Sequence, residues 1–179
     1  TQKLFSGLKR YGINTIRIPI AWSNMMVQEK QSDGSTYYRI NEAYFDRVEE
    51  VINYCLNEEM YVIINDHWDG QWWGMFGDAD LSVRAQAWKK YEDMWTQIAN
   101  RYIDYSDRLI FEGANEELGE RLNDNWKGTG GTKGVLTRKE TYALTNEINQ
   151  KFVDIIRKSG INADGTKNNN YYRMLLIPG

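Results

Sequence analysis

Leu109-Ile110-Phe111-Glu112-Gly113-Ala114-Asn115-Glu116-Glu117-Leu118 is an apolar run that ends in three carboxylates within six residues. A short apolar run before a glycine reads as a buried strand, and one that ends in acid places charge at one end of a sheet. Working outward from it, similar runs stand at Thr15–Ile20, with Pro19 near its close, at Tyr61–Asp66 and at Tyr171–Ile177. Between them lie stretches with helical spacing. Leu4, Phe5 and Leu8 mark a helix over 1–11 that stops at Gly12. Phe45, Val48, Ile52, Cys55 and Leu56 mark Asn41–Glu59. Trp88, Tyr91, Trp95, Ile98 and Tyr102 mark Leu81–Tyr102. Ile148, Phe152, Ile155 and Ile156 mark Thr137–Lys158, which opens on a Thr137/Glu140 capping box.

Helices and strands therefore alternate, with no hairpin turns between the strands, and this predicts a parallel sheet covered by helices. A doubly wound sheet and a (β/α)₈ TIM barrel both fit. The turns after the strands read "RIPIAW", "NDHWDGQWWG" and "FEGANEEL". None is the glycine-rich phosphate turn that a dinucleotide-binding sheet needs. The cluster Gly128–Gly134 lacks the Gly-Lys-Ser/Thr ending of a phosphate loop, and reads as a mobile surface loop. Asn162–Asn170 reads as a polar turn. A closed barrel needs about 250 residues, and four strands are legible, so the α/β fold expected is a fragment of a barrel with about four βα units.

The 179 residues suffice for a substantial core, with 41% apolar and 26% charged residues. A formal net charge of −3 argues against nucleic acid as a partner. No apolar run reaches the roughly 20 residues that cross a bilayer. The chain opens at Thr1 rather than Met, which leaves room for a removed signal or an excised fragment. Cys55 is the one cysteine and sits at helical spacing among apolar residues, so it reads as a buried hydrophobe.

In a barrel, chemistry collects at the C-terminal ends of strands. Arg17 lies between Ile16 and Ile18, and alternation sends the isoleucines to the helices and Arg17 inward. An inward Arg needs an anion. It serves either a structural ion pair or the orientation of a catalytic carboxylate. Glu112 shares parity with Glu116 and is its candidate partner, whereas Glu117 has the opposite parity and is expected to turn away. His67, the single histidine, ends a strand at Asn65-Asp66-His67 and reads as a neutral hydrogen-bonding group. Its Asp neighbours complete no recognisable metal-ligand set, so neither metal nor cofactor is expected. Trp22, Trp68, Trp72 and Trp73 follow strands in polar or glycine-rich surroundings. Flat apolar faces rimmed by amides and carboxylates suit pyranose rings, so these four, with Asn65, are expected to bind substrate. Glu116, just past its strand, is the expected site acid.

Together "GINTIRIPIAW", "VIINDHWDGQWW", "LIFEGANEEL" and "YYRMLLIPG" resemble glycoside hydrolase family 5, the cellulase family, over essentially the whole chain. The resemblance implies a (β/α)₈ barrel and a retaining glycosidase whose two glutamates stand about 5–5.5 Å apart. It makes Glu116 the general acid/base, Asn115 the partner of the sugar 2-hydroxyl, Arg17 a neighbour of the nucleophile and His67 a wall of the −1 subsite. Two departures stand out: the family writes Asn-Glu-Pro where this chain has Glu117, and its nucleophile lies on a late strand.

Residues 1–179 are thus expected to cover family strands two to five of an incomplete catalytic domain, with the nucleophile outside the chain. The expected activity is a secreted endo-β-1,4-glucanase acting on a β-linked polysaccharide. A β-mannanase, xyloglucanase or lichenase is the near alternative, and a non-catalytic glycan-binding fragment the distant one. A barrel enzyme such as an aldolase would want a lysine at a strand end, and none stands there. An open half-barrel is also expected to self-associate through its sheet edges.

Overall fold

A computed structural model describes residues 1–67 and 69–178. In chain order its elements are α1 (Gln2–Arg10), β1 (Thr15–Ile18), β2 (Met26–Lys30), β3 (Thr36–Ile40), α2 (Glu42–Leu56), β4 (Tyr61–Asn65), α3 (Leu81–Arg101), β5 (Leu109–Glu112), α4 (Arg138–Ser159), α5 (Asn169–Tyr172) and β6 (Leu175–Leu176). Turns of 3₁₀ helix stand at Trp22–Met25, Gly70–Gly77 and Gly119–Asn123.

β1, β4, β5 and β6 lie side by side in that order, all parallel, as the alternating pattern predicts. The register aligns Arg17 with Ile63 and Ile63 with Ile110, and it aligns Asn65 with Glu112. One face of the sheet carries Ile16, Ile18, Val62, Ile64, Leu109 and Phe111 into the core, where they meet the buried stripes of α2, α3 and α4. The other face carries Arg17, Ile63 and Glu112, so strand alternation alone delivers charge to the open side. Side-chain caps start the three long helices: Asn41 accepts from Ala43 N, Asp80 from Ser82 N, and Thr137 forms the full capping box with Glu140. Each cap contributes about 1 kcal/mol. Among the described residues no helix is long and apolar enough to cross a membrane. Cys55 is buried as its spacing implies, and burial pushes its thiol up to about 11.

Three features depart from the sequence reading. The first is an antiparallel hairpin, β2–β3, paired from Met26↔Ile40 to Lys30↔Thr36. Its turn carries the Asp33-Gly34 hairpin signal, with Gly34 at φ +83° and Asp33 accepting from Ser35 N at 2.8 Å. Polar Gln28, Glu29 and Lys30 hide the strand pattern. The hairpin is held because α3 occupies its edge: Asp93 accepts from Tyr38 N, and Gln97 bridges Ile40 N and Tyr38 O.

The second is the chain's last segment. Instead of a strand over Tyr171–Ile177 there is a short helix and then a two-residue strand. Arg173 is the reason. It is fully buried, and its guanidinium donates to the carbonyls of Tyr102, Tyr105, Ser106 and Leu109 and to Asn170 Oδ1. Those acceptors surround the end of α3, and reaching them takes Arg173 out of the ladder. Burial pushes the guanidinium down to about 10.

The third is the Gly128–Gly134 loop, which is tied down at both sides rather than loose. Val135 N donates to Gly77 O at 2.8 Å, and Trp126 Nε1 to Asp78 Oδ2 at 2.7 Å. Gly134 makes the approach possible, because a Cβ there would lie 2.6 Å from Gly77 O.

Candidate active site

The polar residues at the ends of β1, β4 and β5 converge on Arg17. Its Nε and Nη2 donate to the two oxygens of Glu112 at 2.7 and 2.9 Å, a bidentate charge-assisted pair. The same Nη2 donates to Asn115 Oδ1 at 2.7 Å, and Nη1 stands 3.4 Å from His67 Nδ1. Glu112 hydrogen bonding pushes the guanidinium further above its ordinary value. The expected Arg17–Glu112 pair is therefore present, with Arg17 half-open to solvent on the sheet's free face.

His67 is placed by its backbone, whose N–H donates to Ile20 O at 2.8 Å and so extends the β1–β4 pairing past the strands. Asn65 Nδ2 lies 3.2 Å from the same His67 Nδ1 that faces Arg17. Both neighbours are donors, so Nδ1 accepts and the ring proton is assigned to Nε2. Burial, then the Arg17 charge, lowers the imidazole pKa. Both effects favour the neutral ring that the sequence suggests.

Glu116 stands at the mouth with its side chain 80% exposed, and Arg121 Nη1 is 3.6 Å from its carboxylate. Glu117 does not turn away as parity predicts. It is 8% exposed, and its Oε2 accepts from Asn115 N at 2.7 Å. Past Glu112 the backbone leaves strand geometry, and alternation no longer decides direction. Burial pushes the Glu117 carboxyl up, against the pull of the backbone amides of Asn115 and Glu117.

The expected tryptophan platform is corrected. Trp22 is fully buried and donates to Asn65 O, while Trp72 and Trp73 are 7% and 2% exposed. The 3₁₀ turn Gly70–Gly77 rolls Trp72 and Trp73 onto Phe76, and Trp73 also onto Tyr91 of α3. Asn65 is likewise buried and reaches the site through His67 rather than by an open face. Trp68 lies outside the described residues.

Sequence reasoning missed what lies beneath these rings. Trp73 Nε1 donates to Asp66 Oδ2 at 3.1 Å, and both Asp69 oxygens accept from Ser23 N at 2.8 and 2.7 Å. Asp66 is fully buried, and burial first, then Asp69, raises its carboxyl well above the usual range. The signal was available: buried indole N–H groups need acceptors, and "DHWDGQWW" holds two acids beside its tryptophans. Among the described residues no group of three or more His, Cys, Asp and Glu side chains could hold a metal ion.

A strand-end carboxamide tied through Arg17 to a neutral histidine, next to an exposed glutamate, suits recognition of hydroxyls and proton transfer at a polar bond. Comparison with known proteins agrees with that chemistry. The chain is 34% identical to a xyloglucan-specific endo-β-1,4-glucanase of Bacteroides ovatus over 174 residues, which is 97% of this chain and 30% of the relative. A broad-specificity endoglucanase of Clostridium cellulovorans superposes with a TM-score of 0.74 at 35% identity, covering 99% of this chain and 44% of that one. A lichenase of Caldicellulosiruptor sp. F32, solved with cellotetraose, superposes at 0.75 with 29% identity, covering 100% and 43%. The chain thus spans less than half the length of each. The parallel sheet is part of the (β/α)₈ barrel expected from the sequence. The model of the cellulase family, glycosyl hydrolase family 5, matches residues 1–179, and the chain belongs to that family.

Proposed function

We propose that this chain supplies the acid/base half of a retaining endo-β-1,4-glucanase, its four parallel strands standing as family strands two to five. The observation that carries the reading is the Arg17 hub, which holds Glu112, Asn115 and His67 together beside the exposed Glu116. Glu116 donates a proton to the glycosidic oxygen in the first step and takes one from water in the second. Asn115 Oδ1 is taken by Arg17, which leaves Nδ2 to donate to a sugar hydroxyl. His67 stands beside them, held toward its neutral form by burial and by the Arg17 charge.

The other carboxylates at the strand ends are committed elsewhere. Glu112 is held at both oxygens by Arg17, and Asp66, Asp69 and Glu117 are buried. The reading therefore takes its nucleophile from outside these 179 residues. Substrates in view are β-1,4-glucan, xyloglucan and mixed-linkage glucan, since the relatives are named for these activities. Polymers of that size are met outside the cell, which makes a secreted enzyme the natural setting. For the 179 residues alone the reading includes self-association, because β1 and β6 flank the sheet and Leu176 and Ile177 are exposed.

The burial of Trp22, Trp72 and Trp73 weighs against a purely glycan-binding role. The test is hydrolysis of carboxymethylcellulose and xyloglucan by this chain and by the chain joined to the remaining barrel of the Clostridium cellulovorans endoglucanase. Turnover is expected only from the joined barrel. Comparable turnover by the 179 residues would show that Glu116 is not half of a pair completed from outside.

A further inference from the structure

Past Glu112 the chain must present Asn115 and Glu116 without a sheet ladder to hold them. Two backbone anchors bracket this segment: Gly113 N donates to Leu176 O at 3.0 Å, and Gly119 N to Thr145 Oγ1 of α4 at 2.9 Å. Between the two, Asn115 N–H ends on the Glu117 carboxyl at 2.7 Å. Glu117 is 8% exposed, and burying a carboxyl is costly unless it is hydrogen-bonded. Of the charges that face it, Arg121 favours its ionisation and Asp69 opposes it to a smaller extent, so burial is what its hydrogen bonds must offset. A surface glutamate would avoid this environment by pointing to water, as its neighbour Glu116 does.

We infer that Glu117 is a positioning residue: its inward carboxyl holds the Asn115 amide and so sets where Asn115 and Glu116 meet a sugar. The line of contact is continuous. Glu117 holds Asn115 N, Asn115 Oδ1 takes the Arg17 guanidinium at 2.7 Å, and Arg17 grips Glu112 and reaches His67. The inference rests on reading Asn115 and Glu116 as the sugar-facing pair, but the anchoring itself is measurable without turnover. An oxygen at this place is what matters, and a carboxamide supplies one, so Glu117→Gln keeps the anchor. Glu117→Met fills a similar volume with no oxygen and removes it.

Amide hydrogen exchange by ¹⁵N NMR on the 179-residue protein tests this, with a cellotetraose titration of the same variants in the barrel joined to the Clostridium cellulovorans remainder. In Glu117→Met the Asn115 amide should exchange at least about tenfold faster, through loss of one hydrogen bond. The amides of the β4–β5 ladder should keep their rates, and Glu117→Gln should match the parent protein. Cellotetraose affinity should weaken about tenfold in Glu117→Met and recover in Glu117→Gln. Asn115 exchange that is unchanged in Glu117→Met overturns the anchor. Faster Asn115 exchange with undiminished cellotetraose affinity overturns the positioning role. If Glu117→Met does not fold, Glu117→Gln decides, since loss of Asn115 protection there also overturns the anchor. A joined barrel that shows no cellotetraose binding rejects the sugar-facing reading, and the exchange data still decide the anchor.

Discussion

The segments after β4 and after β5 are both dense in polar and aromatic residues, yet they treat those residues in opposite ways. After β4 a 3₁₀ turn folds Trp72, Trp73 and Phe76 into the core, and Asp66 and Asp69 accept the two indole N–H groups and the backbone N–H of Ser23. After β5 no such turn intervenes before Gly119, and neighbouring glutamates part company. Glu116 stays in solvent, while Glu117 is drawn under the backbone of Asn115. Residue type therefore says little about exposure at a strand end. The local path of the backbone decides whether an aromatic ring is a wall of the site or part of its foundation.

The sharpest contrast is between two glutamates one residue apart. In the barrel joined to the Clostridium cellulovorans remainder, Glu116→Gln should lower kcat by about 10²–10⁴-fold, the usual worth of general acid/base catalysis. Its urea unfolding midpoint should barely move, because an exposed side chain is being exchanged. A Glu116→Gln barrel with full activity would break the contrast outright.

The region after β4 should respond in stability instead. Trp73→Ala should cost about 3–5 kcal/mol in urea unfolding, as expected for removing a buried indole. A cost well under 1 kcal/mol would return Trp73 to the surface role that its sequence context suggests.

Asp66 should show itself through pH. Its folded carboxyl is raised by burial and by Asp69, with Glu117 adding to the effect, Trp73 opposing it, and Tyr91 and Lys90 of α3 nearby. An unfolded Asp titrates near about 3.9. Between that pH and the raised folded value the native state holds more protons, so stability falls as pH rises. Asp66→Asn removes this loss, and its urea midpoint should decline less than the parent's from pH 4 upward. Equal declines would mean that Asp66 is not the group responsible. The smallest effect belongs to a helix start that takes part in neither segment. Thr137→Ala should cost about 1 kcal/mol, readable as a lowered Tm.

Much of the fold was legible because its signals are local. The apolar runs at Thr15, Tyr61 and Leu109 became parallel strands, and the helical stripes between them became the covering layer. Arg17 and Glu112 could be paired from strand parity, since both lie within regular β structure. The β2–β3 hairpin escaped because its strands carry polar side chains, and its edge is satisfied by Asp93 and Gln97, more than fifty residues away. Arg173 escaped because its acceptors are carbonyls gathered around the end of α3, and no sequence pattern records where carbonyls point.

The sequence by itself determined the alternating α/β order of the main sheet, the capped start of α4, the charged row on one sheet face and the family motifs at the strand ends. Periodicity and capping act over a few residues, so they are written in the chain. Only the tertiary structure decided that Trp22, Trp72 and Trp73 are buried, that Glu117 points inward, and that His67 Nδ1 faces Arg17 and Asn65. These depend on irregular backbone after strands and on partners from distant segments. There the free energy of burying a ring or satisfying a carboxyl is settled by neighbours that sequence spacing does not specify.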